Sequence, residues 1–192
     1  MVLVAALATG CQYVGTSGPR VSFHGDSIGA QADSEIVHRL TRHYRLFRHS
    51  VERADVTSML PSIRTMVENG PRPDVAIVEL GAGDAFERHG HERMRRDIRR
   101  ALDLLRGVPC VRWFSLKLAG VDGYYQGYVE RADDFNRILA RQITDYPNAR
   151  VAPYRPWAHA HPGAFKPDGL HHTERGKTAF AHFVESVAGR CP

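Results

Sequence analysis

At 192 residues, 43% hydrophobic and 24% charged, the chain has the size and composition of one globular domain that can bury a core without help from metal or disulfides. No apolar run approaches the ~20 residues of a membrane span, so no integral membrane segment is expected. The net charge of +5 is mild, and with neither a binding motif nor interleaved aromatics it points to no nucleic-acid partner.

Residues 1–19 form a leader. Its opening, MVLVAALATGC, is a short apolar segment ending in small residues and Cys11. It resembles the end of a secretory or lipoprotein signal but lacks a charged start, and it equally suits a first strand. QYVGTSGPR follows as a flexible lead into a single domain expected over 20–190. Strand patterns then fall at Arg20–His24, Tyr44–Val51, Asp74–Leu80, Pro109–Leu116 and Ala149–Tyr154. Helical patterns lie between and after them, at 34–42, 59–68, 89–106, 128–145 and 174–188. In the third of these, Met94, Ile98, Ala101, Leu102 and Leu105 recur at helical spacing as a buried face, which leaves Arg93, Arg95, Arg96, Arg99, Arg100 and Arg106 as the solvated one.

Strands alternating with helices of this length predict a parallel sheet covered on both faces. Ligands of such sheets bind at the carboxyl ends of the strands. The segments leaving the strands are therefore the ones to inspect: GDSIGA, VERAD, GAGDAF, KLAGVDGYYQGY and RPWAHAHPGAFKPDGLHH. All five converge on one rim.

The first poses a question, because Ser27 in SFHGDSIGA sits at a strand-to-helix turn, a place that suits both helix caps and nucleophiles. A serine hydroxyl becomes a nucleophile when a base takes its proton and a carboxylate orients that base. PDGLHHT offers such a pair, Asp168 and His171, on the same rim.

Gly25-Asp26-Ser27, an LGxxD element after the central strand and Asp168-Gly-Leu-His171 before the last helix together resemble the SGNH (GDSL) hydrolase family. The resemblance runs from about Val21 to Ala188. It implies an α/β fold, a flavodoxin-like three-layer α/β/α sandwich with a five-stranded parallel sheet. It also implies a serine esterase or deacylase acting on an acyl ester of a small molecule, glycan or lipid, or an O-acyltransferase using the same residues. Ser27 would be the nucleophile, His171 the base, with His172 as its competitor, and Asp168 the orienting acid. The Ser27 N–H would be one oxyanion donor, and no cofactor or metal is implied. Thr173 is the expected N-cap of the last helix.

Two positions depart from the family pattern. The third block carries Gly83 where an asparagine would donate to the oxyanion, and SVERADVTSML has no glycine in the second block, where Arg53 or Ala54 takes its place. Loss of one oxyanion donor typically costs ~10²–10³ in rate. Arg53, or a backbone N–H at Gly83 or Asp84, is the candidate replacement; a chain that kept the fold but lost turnover would instead be a ligand-binding domain. If the hole is merely weakened, an asparagine restored at position 83 is expected to raise turnover.

Tyr124 and Tyr125, with Tyr128, suit a carbohydrate or acyl platform, and Trp157 and Phe165 flank the proposed acid–base loop. The pairs His89/His91 and His159/His161 lack a carboxylate or cysteine at ligand spacing and are expected to be surface histidines. Cys110 and Cys191 fall at the end of the sheet away from the active-site loops, either bridged, which would suit an exported protein, or free and buried.

Overall fold

The structure, a computed structural model, describes residues 13–117 and 127–191. Tyr124, Tyr125 and most of the leader, Cys11 included, lie outside the described residues.

Five strands, β1 (Arg20–Gly25), β2 (Arg45–Ser50), β3 (Val75–Glu79), β4 (Cys110–Phe114) and β5 (Ala149–Ala152), form one all-parallel sheet in the order β2-β1-β3-β4-β5. The central strand β3 is buried along its whole length, as a strand covered on both faces must be, whereas the edge strand β2 is largely exposed. Successive residues of β4 point to opposite faces and meet different helices. Trp113 packs on Phe135 of α6 (Tyr128–Gln142), and Phe114 packs on Phe180 and Phe183 of α8 (Glu174–Ala188).

The remaining helices are α1 (Ser27–Gln31), α2 (Asp33–Leu40), α3 (Val56–Glu68), α4 (Ala82–Phe86), α5 (His91–Leu104) and α7 (Tyr154–Ala160). The α/β three-layer arrangement expected from the sequence is the one observed. The apolar stripe of α5 is buried from Met94 to Leu102 and on to Leu105, and its arginines face outward. Among the described residues no helix is long and apolar enough to cross a membrane.

Two features differ from the sequence reading or decide between its alternatives. The end of the leader is tied down: Val14 and Leu46 exchange both backbone hydrogen bonds, at 2.8 and 2.7 Å, and the Tyr13 hydroxyl donates to the Pro71 carbonyl. That segment covers part of the otherwise open edge of β2. Cys110, at the start of β4, and Cys191, after α8, form a disulfide with Cα atoms 5.9 Å apart. The bridge pins the end of the last helix to the pole of the sheet remote from the strand-end loops.

Candidate active site

β1 ends at Gly25, and Asp26 caps the helix that follows, its carboxylate accepting the Ile28 N–H at 3.0 Å. The cap is therefore Asp26, which leaves the Ser27 hydroxyl free to face outward at the first helical position. Ser27 Oγ lies 3.4 Å from His171 Nε2, and His171 Nδ1 lies 2.7 Å from Asp168 Oδ2. The structure thus brings together the three residues that the sequence reading singled out.

The Asp168–His171 segment is held from several sides. Asp168 Oδ1 accepts the N–H groups of Leu170 and His171 at 2.9 and 3.0 Å. Burial acts to raise the Asp168 carboxyl, but the His171 ring and these two backbone donors outweigh it and hold the carboxyl below its ordinary value. Lys117 donates to the Gly169 carbonyl and lies over the Phe165 ring. Thr173 caps α8 as expected, accepting the Gly176 N–H at 3.0 Å. His172 is directed away from Ser27, with its Nε2 3.0 Å from the Tyr154 hydroxyl. Burial, assisted by the Lys117 ammonium, pushes its pKa down to about 3, so it stays neutral inside the protein.

Ser27 and His171 line a cleft of about 450 Å³. Gln31, Glu52, Arg53 and Glu87 supply its polar wall, and Ala82, Phe86 and Leu170 its apolar one. Arg53, one of the two residues near the expected second-block glycine, has φ +60°, a left-handed conformation that costs a side-chain-bearing residue roughly 1–2 kcal/mol. In its turn the Val51 N–H donates to the Gly25 carbonyl and the Ala54 N–H to Val51, whereas the Arg53 N–H makes no hydrogen bond within the described residues.

Gly83 also lines the cleft, but its neighbour Asp84 does not. The Asp84 side chain is completely buried, accepting the Val56 N–H at 3.0 Å and facing His89 Nδ1 at 3.1 Å. It therefore joins α4 to the start of α3 rather than facing a substrate. Trp157 is likewise off the cleft. It lies in a separate groove beside Pro153, Phe183 and Arg190, its ring stacked between Tyr154 at 5.5 Å and His161 at 4.8 Å.

His89 corrects the reading of the histidine pairs. Its side chain is only 7% exposed and sits between two carboxylates, Asp84 at 3.1 Å and Asp55 at 3.8 Å. The three could hold a metal ion, although Arg93 already sits 3.0 Å from Asp55. The sequence hid this cluster because Asp55 comes from a different loop. His91, His159 and His161 are exposed, as expected. Glu79 went unread as well; its signal is a lone carboxylate in the otherwise apolar strand VAIVEL, at the strand end where ligands bind.

At the level of sequence, no protein-family model and no curated protein matches the chain. The fold has many solved counterparts. A lipase/acylhydrolase from Enterococcus faecalis superposes with a TM-score of 0.71 at 15% identity, over 90% of this chain and 97% of that one. The catalytic domain of a Streptococcus pneumoniae peptidoglycan O-acetyltransferase gives 0.68 at 15% identity, over 92% and 98%. An acetyl xylan esterase gives 0.69 at 15% identity, over 87% and 98%. With its all-parallel sheet and helices on both sides, the chain has the α/β fold of the SGNH (GDSL) acylhydrolases and acetyltransferases.

Proposed function

We propose that this chain is a serine esterase or deacylase that works through an acyl-enzyme on Ser27. The observation that carries the reading is the Ser27–His171–Asp168 relay, with contacts of 3.4 and 2.7 Å at the mouth of a cleft. The Ser27 oxygen attacks the ester carbonyl while His171 Nε2 takes its proton, and Asp168 holds the Nδ1–H and stabilises the charged ring. The oxyanion receives the Ser27 and Arg53 N–H groups. Collapse of the tetrahedral species expels the alkoxide, which leaves with the proton from His171. A water activated by the same ring then resolves the ester on Ser27 and restores the hydroxyl.

The substrate is a short acyl group on a polar alcohol. Ala82, Phe86 and Leu170 offer little apolar wall for a long chain, whereas Gln31, Glu52, Arg53 and Glu87 suit a hydroxyl-rich leaving group. The same rim could seat an acceptor hydroxyl in place of water, which would make the site an O-acyltransferase. The disulfide supports an exported location, since such bonds persist in oxidising compartments.

The test is a serine-directed fluorophosphonate together with p-nitrophenyl esters from acetyl to dodecanoyl. Stoichiometric labelling that Ser27→Ala abolishes, with turnover greatest for the shortest esters, is expected. Labelling without turnover would point to the transferase, and folded protein that takes no label would be a binding domain.

A further inference from the structure

Two carboxyls that the proposed reaction does not use lie directly behind the nucleophile turn. Asp26 and Glu79 are 1% and 2% exposed, and among the described residues no ammonium or guanidinium neutralises either. Glu79 Oε2 accepts two backbone N–H groups, that of Asp26 at 3.1 Å and that of Gly29 at 3.0 Å. The residue before Ser27 and the residue two after it thus share a single carboxyl oxygen, the Asp26 N–H also reaching the Glu79 main-chain carbonyl at 3.1 Å. Asp26 Oδ1 takes the Ile28 N–H, while Asp26 Oδ2 is buried and makes no full hydrogen bond among the described groups, although the Ala82 N–H acts on the carboxylate.

The backbone is shaped to admit this carboxyl. A Cβ on Gly25 would fall 2.9 Å from Glu79 Oε2, and one on Gly29 3.1 Å from it. Both would also crowd Ser50 Oγ, at 2.9 and 3.0 Å. A buried carboxylate pair with one oxygen lacking a full hydrogen bond is costly, and a shared proton removes both the second charge and the unmet acceptor.

We propose that Glu79 is a positioning residue for Ser27: it is held as the neutral acid, donates its O–H to Asp26 Oδ2, and uses Oε2 to fix the backbone on both sides of the nucleophile. Other groups that act on the pair are consistent with this assignment. Burial raises both acids, Asp26 to about 6 and Glu79 well above its ordinary value, with the Asp26 charge adding to the rise at Glu79. The Ile28 N–H, the Glu79 side chain, the Ala82 N–H and, least, His171 from the loop before α8 favour the ionised Asp26. Tyr154 of α7 feels both acids and is itself raised, first by burial, and Ser50 of β2 contributes a neutral hydroxyl.

The inference rests on the proposed reaction only for its kinetic readout, so three readouts are combined. The infrared spectrum of the wild type at neutral pH should show a protonated-carboxyl band that Glu79→Gln lacks. Amide exchange of Gly29, whose N–H has only the Glu79 side chain as acceptor, should remain slow in Glu79→Gln, whose amide can donate to Asp26 and accept that N–H, and become fast in Glu79→Ala, while the Asp26 N–H keeps the Glu79 main-chain carbonyl in every variant. Fluorophosphonate labelling of Ser27 should stay within about threefold of wild type in Glu79→Gln and fall about 10²-fold in folded Glu79→Ala, the cost of a nucleophile displaced by about an ångström. Absence of the band, or a Gln variant as impaired as the Ala variant, would overturn the proposal. If the band and exchange pattern appear but no variant labels, the esterase reading fails and the clamp stands.

Discussion

Gly83 is pressed against the backbone of Ala54: a Cβ built on it would lie 2.2 Å from the Ala54 carbonyl oxygen and 2.7 Å from its carbon. The Arg53–Asp55 turn therefore occupies the space into which a side chain at position 83 would project. The bare Gly83 and the side-chain-bearing turn at 53–55 fit against one another.

This reverses what the sequence alone suggests for an asparagine at this position. Gly83→Asn should not restore an oxyanion donor. The backbone contact must open first, at a cost of about 1–3 kcal/mol, the usual range for overpacking, and turnover should fall rather than rise. Urea midpoints and p-nitrophenyl acetate hydrolysis of Gly83→Ala and Gly83→Asn check this. An asparagine variant of wild-type stability and higher turnover would contradict the packing argument.

Arg53 separates backbone from side chain. Its N–H meets no acceptor among the described residues and its φ of +60° suits glycine better than arginine. Arg53→Gly should therefore raise stability, by up to about 1 kcal/mol, while kcat/KM stays within about threefold, because the donor is the main-chain N–H. A fall of about 10²–10³ would assign the oxyanion contact to the guanidinium instead. Steady-state kinetics and unfolding curves on the one variant decide the matter.

What the sequence discloses follows the range of the interactions involved. The inner strands are legible as short runs rich in apolar residues that end at turn signals, and the edge strand β2 by its apolar Leu46 and Phe47 between polar neighbours. Asp168 and His171 are legible because their contact is local, three residues apart. The helices α1, α4 and α7 are too short to show a helical period, and they exist because of their surroundings, as when Asp26 caps α1. The fit of Gly83 to Ala54 and the His89 pairing with Asp55 each join separate stretches of chain, and no local pattern encodes them.

The disulfide closes a separation of 81 residues, from the start of β4 to the end of α8. Loop-closure entropy for a ring of that size corresponds to about 4–5 kcal/mol of stabilisation. Cys191→Ser, or reduction of the wild type, should lower the unfolding free energy by up to that amount while leaving ester turnover nearly unchanged at moderate temperature, because the bridge lies at the pole of the sheet opposite the cleft. Intact masses with and without reductant establish the bond, and denaturant curves in both states measure its effect.

His24 predicts how stability responds to acid. It is fully buried on β1, neither ring nitrogen has a hydrogen-bond partner among the described residues, and burial, with a smaller contribution from His49, pushes its pKa down to about 3. A histidine whose folded pKa lies below its unfolded value of about 6.5 contributes stability that is present above the unfolded pKa and is lost as pH falls toward the folded one. The window is therefore about pH 6.5 to 3, with a slope of up to about 1.4 kcal/mol per pH unit for the one proton. His172 adds to this loss over the same window, whereas the raised acids Asp26 and Glu79 act in the opposite sense, so the wild-type curve alone does not isolate His24. The difference between wild type and His24→Leu does. Leucine removes both the titration and two unmet polar atoms, so the variant should match or exceed wild-type stability at pH 7 and exceed it increasingly as the pH falls to 4. Parallel curves would mean that His24 finds a proton donor or acceptor inside the fold.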